Sequence, residues 1–172
     1  MSGNYKSELW DFDENTNYVL INGYKVLKYP DYLKASLLLS KINNLIRRCF
    51  ESIFNNEMIT PEVELLLTTP FYLQEMQLIE YQNNIKFQGL NKPKNVIPTN
   101  EIDIGPDKNL RAQYRVIFLT LRKNNKLLPI KFLKNLIAHE LAHTALNHVT
   151  WRDDDHGGQF KLIYEIIMRN FN

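Results

Sequence analysis

Cysteine is almost absent: the 172 residues hold one, Cys49, which excludes an intramolecular disulfide and any cysteine-based zinc site. Any bound metal would have to be held by histidine and carboxylate, and the chain has four histidines. Long apolar runs are absent too. None approaches the roughly 18 residues that a membrane span needs, so no membrane is expected. Met1 to Glu14 is polar and acidic and has no apolar stretch with a cleavage site, so no secretory signal is read there and an intracellular location is expected. Neither an internal repeat nor a low-complexity linker is found. The length suits one compact unit, and 44% hydrophobic with 23% charged residues is a globular composition.

What is present begins with unevenly spread charge. The formal net charge is only +2, yet residues 1–85 carry 7 basic and 11 acidic groups, 86–134 carry 11 and 3, and 135–172 carry 3 and 5. A local excess of this size can attract phosphate or acidic protein surfaces. The commoner meaning of such a run is a solvated face. As a nucleic-acid footprint, it offers Lys92, Lys94, Arg111, Arg115, Arg122, Lys123 and Lys126 as phosphate contacts.

The order of elements follows from periodicity. Asn22-Gly23 between the β-rich flanks of Tyr18 to Leu27 predicts a hairpin. After Pro30 and the N-cap candidate Asp31, apolar residues from Leu33 through Leu37, Ile42, Ile46 and Phe50 to Ile53 predict one amphipathic helix over 31–54. PEVELLLTTP, bracketed by Pro61 and Pro70, reads as a short helix with Pro61 in its first turn or as a buried strand, and helix is favoured. Gly89 to Lys108, with three prolines and Gly105, reads as surface loop with at most a short strand at Glu101 to Ile104. RVIFLTLR, Arg115 to Arg122, alternates as a strand with both faces mostly apolar. The chain thus divides into 1–60, a hairpin and long helix packing on the core, and 61–172, which carries the chemistry.

That chemistry centres on HELAH, His139 to His143, in a helix opened by Pro129. At about 100° per residue the two histidines lie about 40° apart on one face and can give ring nitrogens to one zinc ion, with Glu140 beside the metal and not on it. Chance would produce the pattern in about 0.006 of chains with this content of His and Glu. In such an arrangement zinc polarises a carbonyl and acidifies a water while the glutamate moves the proton, which is metal-assisted hydrolysis. A third ligand is needed, and the candidates are His148, His156 and Glu165. His148 is about 180° round the helix from His139 and faces away unless the helix ends first. Glu165 lies beside the inward stripe of a second helix over 158–170. His156 follows the acidic run Asp153 to Asp155 and precedes Gly157-Gly158, which lets the backbone swing it back, so it is the preferred candidate. One of the three aspartates could orient a histidine ring.

HELAH followed by HGGQF at His156 to Phe160, the upstream strand RVIFLTLR and the segment GLNKP at Gly89 to Pro93 resemble the WLM domain metalloproteases. More distantly they resemble the SprT-like metalloproteases, whose spacing between the second and third histidines is nearer to the interval here. GLNKPKN and WRDDDHG are also similar to WLM-like proteins of large DNA viruses, for which a virus factory or virion would be the location. The resemblance covers roughly Phe87 to Asn170. It implies an α+β fold, a small zincin-like metalloprotease domain with a mostly antiparallel sheet over a zinc-binding HExxH helix. It further implies His139, His143 and His156 as zinc ligands and Glu140 as the catalytic acid/base. A peptide substrate would add along a sheet edge, for which RVIFLTLR is the expected strand.

Three functions compete. The first is a zinc endopeptidase acting on DNA-bound or DNA-crosslinked proteins, with single-stranded DNA as a partner through 86–134. The second is a zinc peptidase for an unrelated protein or peptide. The third is a zinc-stabilised binding module that does not cleave, against which Glu140 argues, since a structural site has no use for a carboxylate beside its metal.

Overall fold

The computed structural model describes residues 17–77, 79–80, 86–150 and 156–171 of the chain. The expectations placed on Met1 to Glu14 and on Asp153, Asp154 and Asp155 lie outside the described residues. No described helix is long and apolar enough to cross a membrane.

Asn22 and Gly23 both take positive φ, 52° and 83°, and turn strand β1 (Tyr18–Ile21) into β2 (Tyr24–Leu27) as a two-residue hairpin. Helix α1 (Tyr32–Asn56) follows and buries Ala35, Leu39, Ile42, Ile46, Cys49 and Ile53. Leu33 and Leu37, expected inward, are exposed, because the stripe that meets the sheet starts at Ala35. Asp31 does not cap α1 with its side chain; it pairs with Arg122 instead. Helix α2 (Pro61–Thr68) is opened by Pro61 and capped by Thr60, whose hydroxyl accepts from Val63 N at 3.3 Å.

Strand β3 (Phe71–Glu75) runs parallel to β2 and to a later strand, β5 (Tyr114–Leu119). Between them in sequence, β4 (Gly89–Lys94) pairs antiparallel with β5 from Gly89 opposite Leu119 to Lys94 opposite Tyr114. The five-stranded sheet therefore has the order β1-β2-β3-β5-β4. It is mixed, and with the three two-residue ribbons among the described residues antiparallel pairing predominates.

Two expectations fail here for one reason. GLNKPK is a strand, not loop, and RVIFLTLR is an inner strand, not the edge. Arg115 N donates to Pro70 O on the β3 side, and Thr120 N donates to Gln88 O on the β4 side. Alternation then turns the backbone groups of Gly89, Asn91 and Pro93 away from β5. Proline is tolerated because its missing N–H is on the open side of an edge strand. No strand forms at Glu101 to Ile104. RVIFLTLR had carried its own cue, since a strand apolar on both faces belongs inside a sheet.

After a 3₁₀ turn (Ile130–Phe132), α3 (Lys134–Ala145) lies across β4 and β5, and α4 (Gly158–Arg169) packs on α3. One core joins Val26 from the hairpin and Leu39, Ile46 and Ile53 from α1. It continues through Ile117 and Leu119 of β5, Ile137 and Leu141 of α3, and Ile163 and Ile167 of α4.

Candidate metal centre

HELAH occupies the middle and last turns of α3, where Ile137, Ala138, Leu141 and Ala142 anchor the buried face. His139 and His143 rise from one side of it, and His156 approaches from just before α4. The three histidines offer ring nitrogens that all lie within 4.8 Å of one another, close enough to hold a metal ion. His139 Nε2 and His156 Nε2 are 3.2 Å apart. Phe160, one turn into α4, packs its ring against all three imidazoles at centroid distances of 5.1, 5.0 and 4.8 Å. Burial holds His139 down at about 4, with the neighbouring His156 adding to the effect, and it lowers His156 as well. His143 is pulled well below the ordinary value by burial, then by His148 and the other rings. Neutral imidazoles are the form that binds metal.

Glu140 is 4% exposed and not part of the cluster. Its carboxyl is pushed up to about 8 by burial. Strand β4 is what covers it. A Cβ at Gly89 would come within 2.7 Å of Glu140 Oε2 and of Leu136 Cδ1, so glycine lets the edge strand pass this close to the helix without displacing either side chain. One turn along, Asn91 locks the contact: its amide donates to Glu140 O at 2.6 Å and to Thr144 Oγ1 at 2.8 Å. Asn91 Oδ1 accepts from Arg115 Nη1 at 3.1 Å, and the same nitrogen donates to His148 O at 3.0 Å. Arg115 is 1% exposed, and burial lowers it to about 9 against the opposing charge of Asp107.

His148 is not in the cluster, and the reason is the end of α3. Asn147 takes φ 55°, His148 N donates to His143 O, and Asn147 N donates to Thr144 O, the two bonds of a Schellman turn. The chain reverses and brings His148 Nδ1 to 2.7 Å from His143 Nδ1. One of these nitrogens donates and the other accepts, which leaves His143 Nε2 as the ring atom for a metal. Asn147 secures the turn by donating to Asp107 O and Leu110 O. The helix does end first, as the reading of His148 had allowed, and an asparagine four residues after the second histidine, a residue type that tolerates left-handed backbone, was the sequence signal for that end. Glu165 is exposed on α4 and outside the cluster.

A cleft of about 730 Å³ lies over the centre, lined by Gln88, Gly89, Glu140, His139, His156 and Tyr164 among others. The basic segment is less exposed than its sequence suggests. Arg115 is internal, and the Arg122 side chain, 7% exposed, pairs with Asp31 and Glu75. Arg111 faces Glu101 at 3.6 Å and Lys108 faces Asp103 at 3.7 Å. Arg115 and Arg122 are thereby removed from the expected phosphate contacts, because their charges are used inside the fold. Compared with protein-family models, curated proteins and solved structures, the chain matches none.

Proposed function

We propose that the chain is a zinc-dependent metalloendopeptidase of zincin type, with His139, His143 and His156 as ligands and Glu140 as its acid/base. The observation that carries this reading is the convergence of three histidine nitrogens within 4.8 Å beside a buried glutamate that is not one of them. The donor set suits zinc: three neutral imidazoles and no thiolate leave a fourth position open. A bound zinc would supply Lewis acidity toward the scissile carbonyl and toward a water.

The chain's own groups do the rest. Burial alone favours the protonated form of Glu140, and a cation held at the three histidines beside it would favour the carboxylate instead; in that form Glu140, covered by Gly89, takes a proton from the attacking water and delivers it to the leaving amine. Gly89 and Asn91 turn their N–H and C=O groups to the open side of β4, so an extended peptide can add there as a further strand, next to the metal centre. His148 fixes the ring of His143.

DNA-bound proteins are the substrate class we propose, with single-stranded DNA held by the exposed Lys123, Lys126 and Lys131. The experiment pairs zinc-loaded wild type with Glu140→Gln and measures cleavage of a DNA-binding protein with and without single-stranded DNA. The variant should keep zinc and its melting temperature and lose at least about 100-fold in rate, since the amide cannot take the proton. Equal rates would remove Glu140 from the mechanism. Cleavage indifferent to DNA at low and high salt would leave a peptidase for unrelated proteins. Zinc binding without cleavage in either protein would make the chain a metal-stabilised binding module.

A further inference from the structure

A second cavity, about 580 Å³, opens beside the metal cleft and shares Gln88, Phe132 and Leu136 with it. Its apolar floor includes Leu27, Met76, Leu128 and Leu133, and its polar wall holds Glu75, Thr120 and Arg122. Among the described residues, two buried side-chain polar atoms have no hydrogen-bond partner, Thr120 Oγ1 and Arg122 Nη2, and both are carried by residues that line this cavity. Thr120 is 9% exposed and the Arg122 side chain 7%. Buried donors left unpaired are rare and costly, so two in one cavity next to a catalytic centre mark a place for a ligand.

The chemistry of the wall selects that ligand. Arg122 donates through Nε to Glu75 Oε2 at 2.7 Å and through Nη1 to Asp31, and its guanidinium carbon lies 4.2 Å from the centre of the Tyr29 ring. Stacking uses the face of the guanidinium and leaves the in-plane hydrogens of Nη2 unanswered. Two carboxylates already oppose Arg122, so a third negative charge beside Nη2 would be repelled, whereas an uncharged oxygen acceptor would not; Lys123, which also lines the cavity, is exposed and screened by solvent. Thr120 Oγ1 can accept as well as donate. A primary amide carries both the acceptor that Nη2 lacks and donors for the hydroxyl, and the apolar floor suits a methylene stem.

We propose that this cavity is a substrate subsite for an amide side chain, glutamine in the first place, of a peptide lying along β4. The inference rests on the peptidase reading and adds its side-chain preference.

The test uses zinc-loaded full-length protein and peptide pools in which each position flanking the cleaved bond is in turn Gln, Glu, Leu or Lys. At one position Gln should be favoured over Leu and Glu by at least about tenfold in kcat/KM, as a site built around hydrogen bonds rejects analogues lacking them. In Thr120→Val, an isosteric change, the Gln-to-Leu ratio should collapse to within about threefold, with the melting temperature checked alongside. Calorimetric binding of the same peptides to Glu140→Gln, with and without Thr120→Val, should show the same ratios without turnover. Cleavage with no preference, or a preference that Thr120→Val leaves intact, overturns the subsite alone. A preference for Glu overturns the amide assignment. No cleavage and no binding of any pool overturns the peptidase reading and the subsite together.

Discussion

At the scale of single residues, His148 shows how a side chain outside the histidine cluster can hold one of its rings. Its ring meets the Nδ1 of His143, and its own carbonyl is held by Arg115. A ligand imidazole whose second nitrogen is tied down has its orientation and tautomer set in advance, and losing such a partner commonly costs 10- to 100-fold in metal affinity. His148→Ala is therefore expected to weaken zinc binding by about that factor in a chelator competition, while His156→Ala removes it almost entirely. Equal affinity in His148→Ala and wild type would make the ring contact incidental. Loss of zinc in His148→Ala with retention in His156→Ala would exchange the two roles.

At the scale of elements, periodicity was a good guide to helices and a poor one to the sheet edge. The stretch 31–54 repeats its apolar residues with helical spacing, and α1 spans Tyr32–Asn56. The HELAH pattern falls on α3 because the residues between and before its histidines are core-forming. GLNKPK carried no such repeat. Its strand character comes from pairing with β5 and from packing of Gly89 and Asn91 on α3, both contacts between segments distant in sequence. Composition likewise counted Arg115 and Arg122 as surface charge, since nothing in a local window shows that Asp31, Glu75 and Asp107 will come to face them. Of the candidate site, the two histidines and the glutamate of α3 were legible from spacing. The Asn91, Arg115 and His148 network around them was not.

The join between α1 and α4 has its own pH dependence. Arg169 Nε donates to Glu57 Oε2 at 2.9 Å and Asn170 Nδ2 to the same oxygen at 2.8 Å, and these hydrogen bonds hold the Glu57 carboxyl down at about 2. Its value in the unfolded chain is about 4.3. A depressed folded value means that the contribution is complete above the unfolded value and disappears as pH falls through the folded one. Glu57→Gln should thus melt below wild type at pH 7, and the gap should shrink between about pH 4.5 and pH 2. Thermal melts of both proteins across that range check it; a gap that stays constant would mean that the carboxylate charge contributes nothing.

At the scale of the whole molecule, the lone thiol can serve as a chemical clock. Cys49 is buried on α1, its Sγ lies 3.5 Å from Ile167 O of α4, and burial pushes its pKa up to about 12. A thiol so rarely ionised and so enclosed reacts with a disulfide reagent only when the helices part. If α1 and α4 separate only in global opening, labelling should proceed at the rate set by the unfolding equilibrium and accelerate with denaturant along the same slope. Labelling much faster than that would reveal a local opening of α4. Since His156 and Phe160 tie the start of α4 to the histidines of α3, zinc should slow the reaction further by the factor 1 + [Zn]/Kd. The timing of one sulfur atom would then report metal occupancy across the molecule, without any substrate.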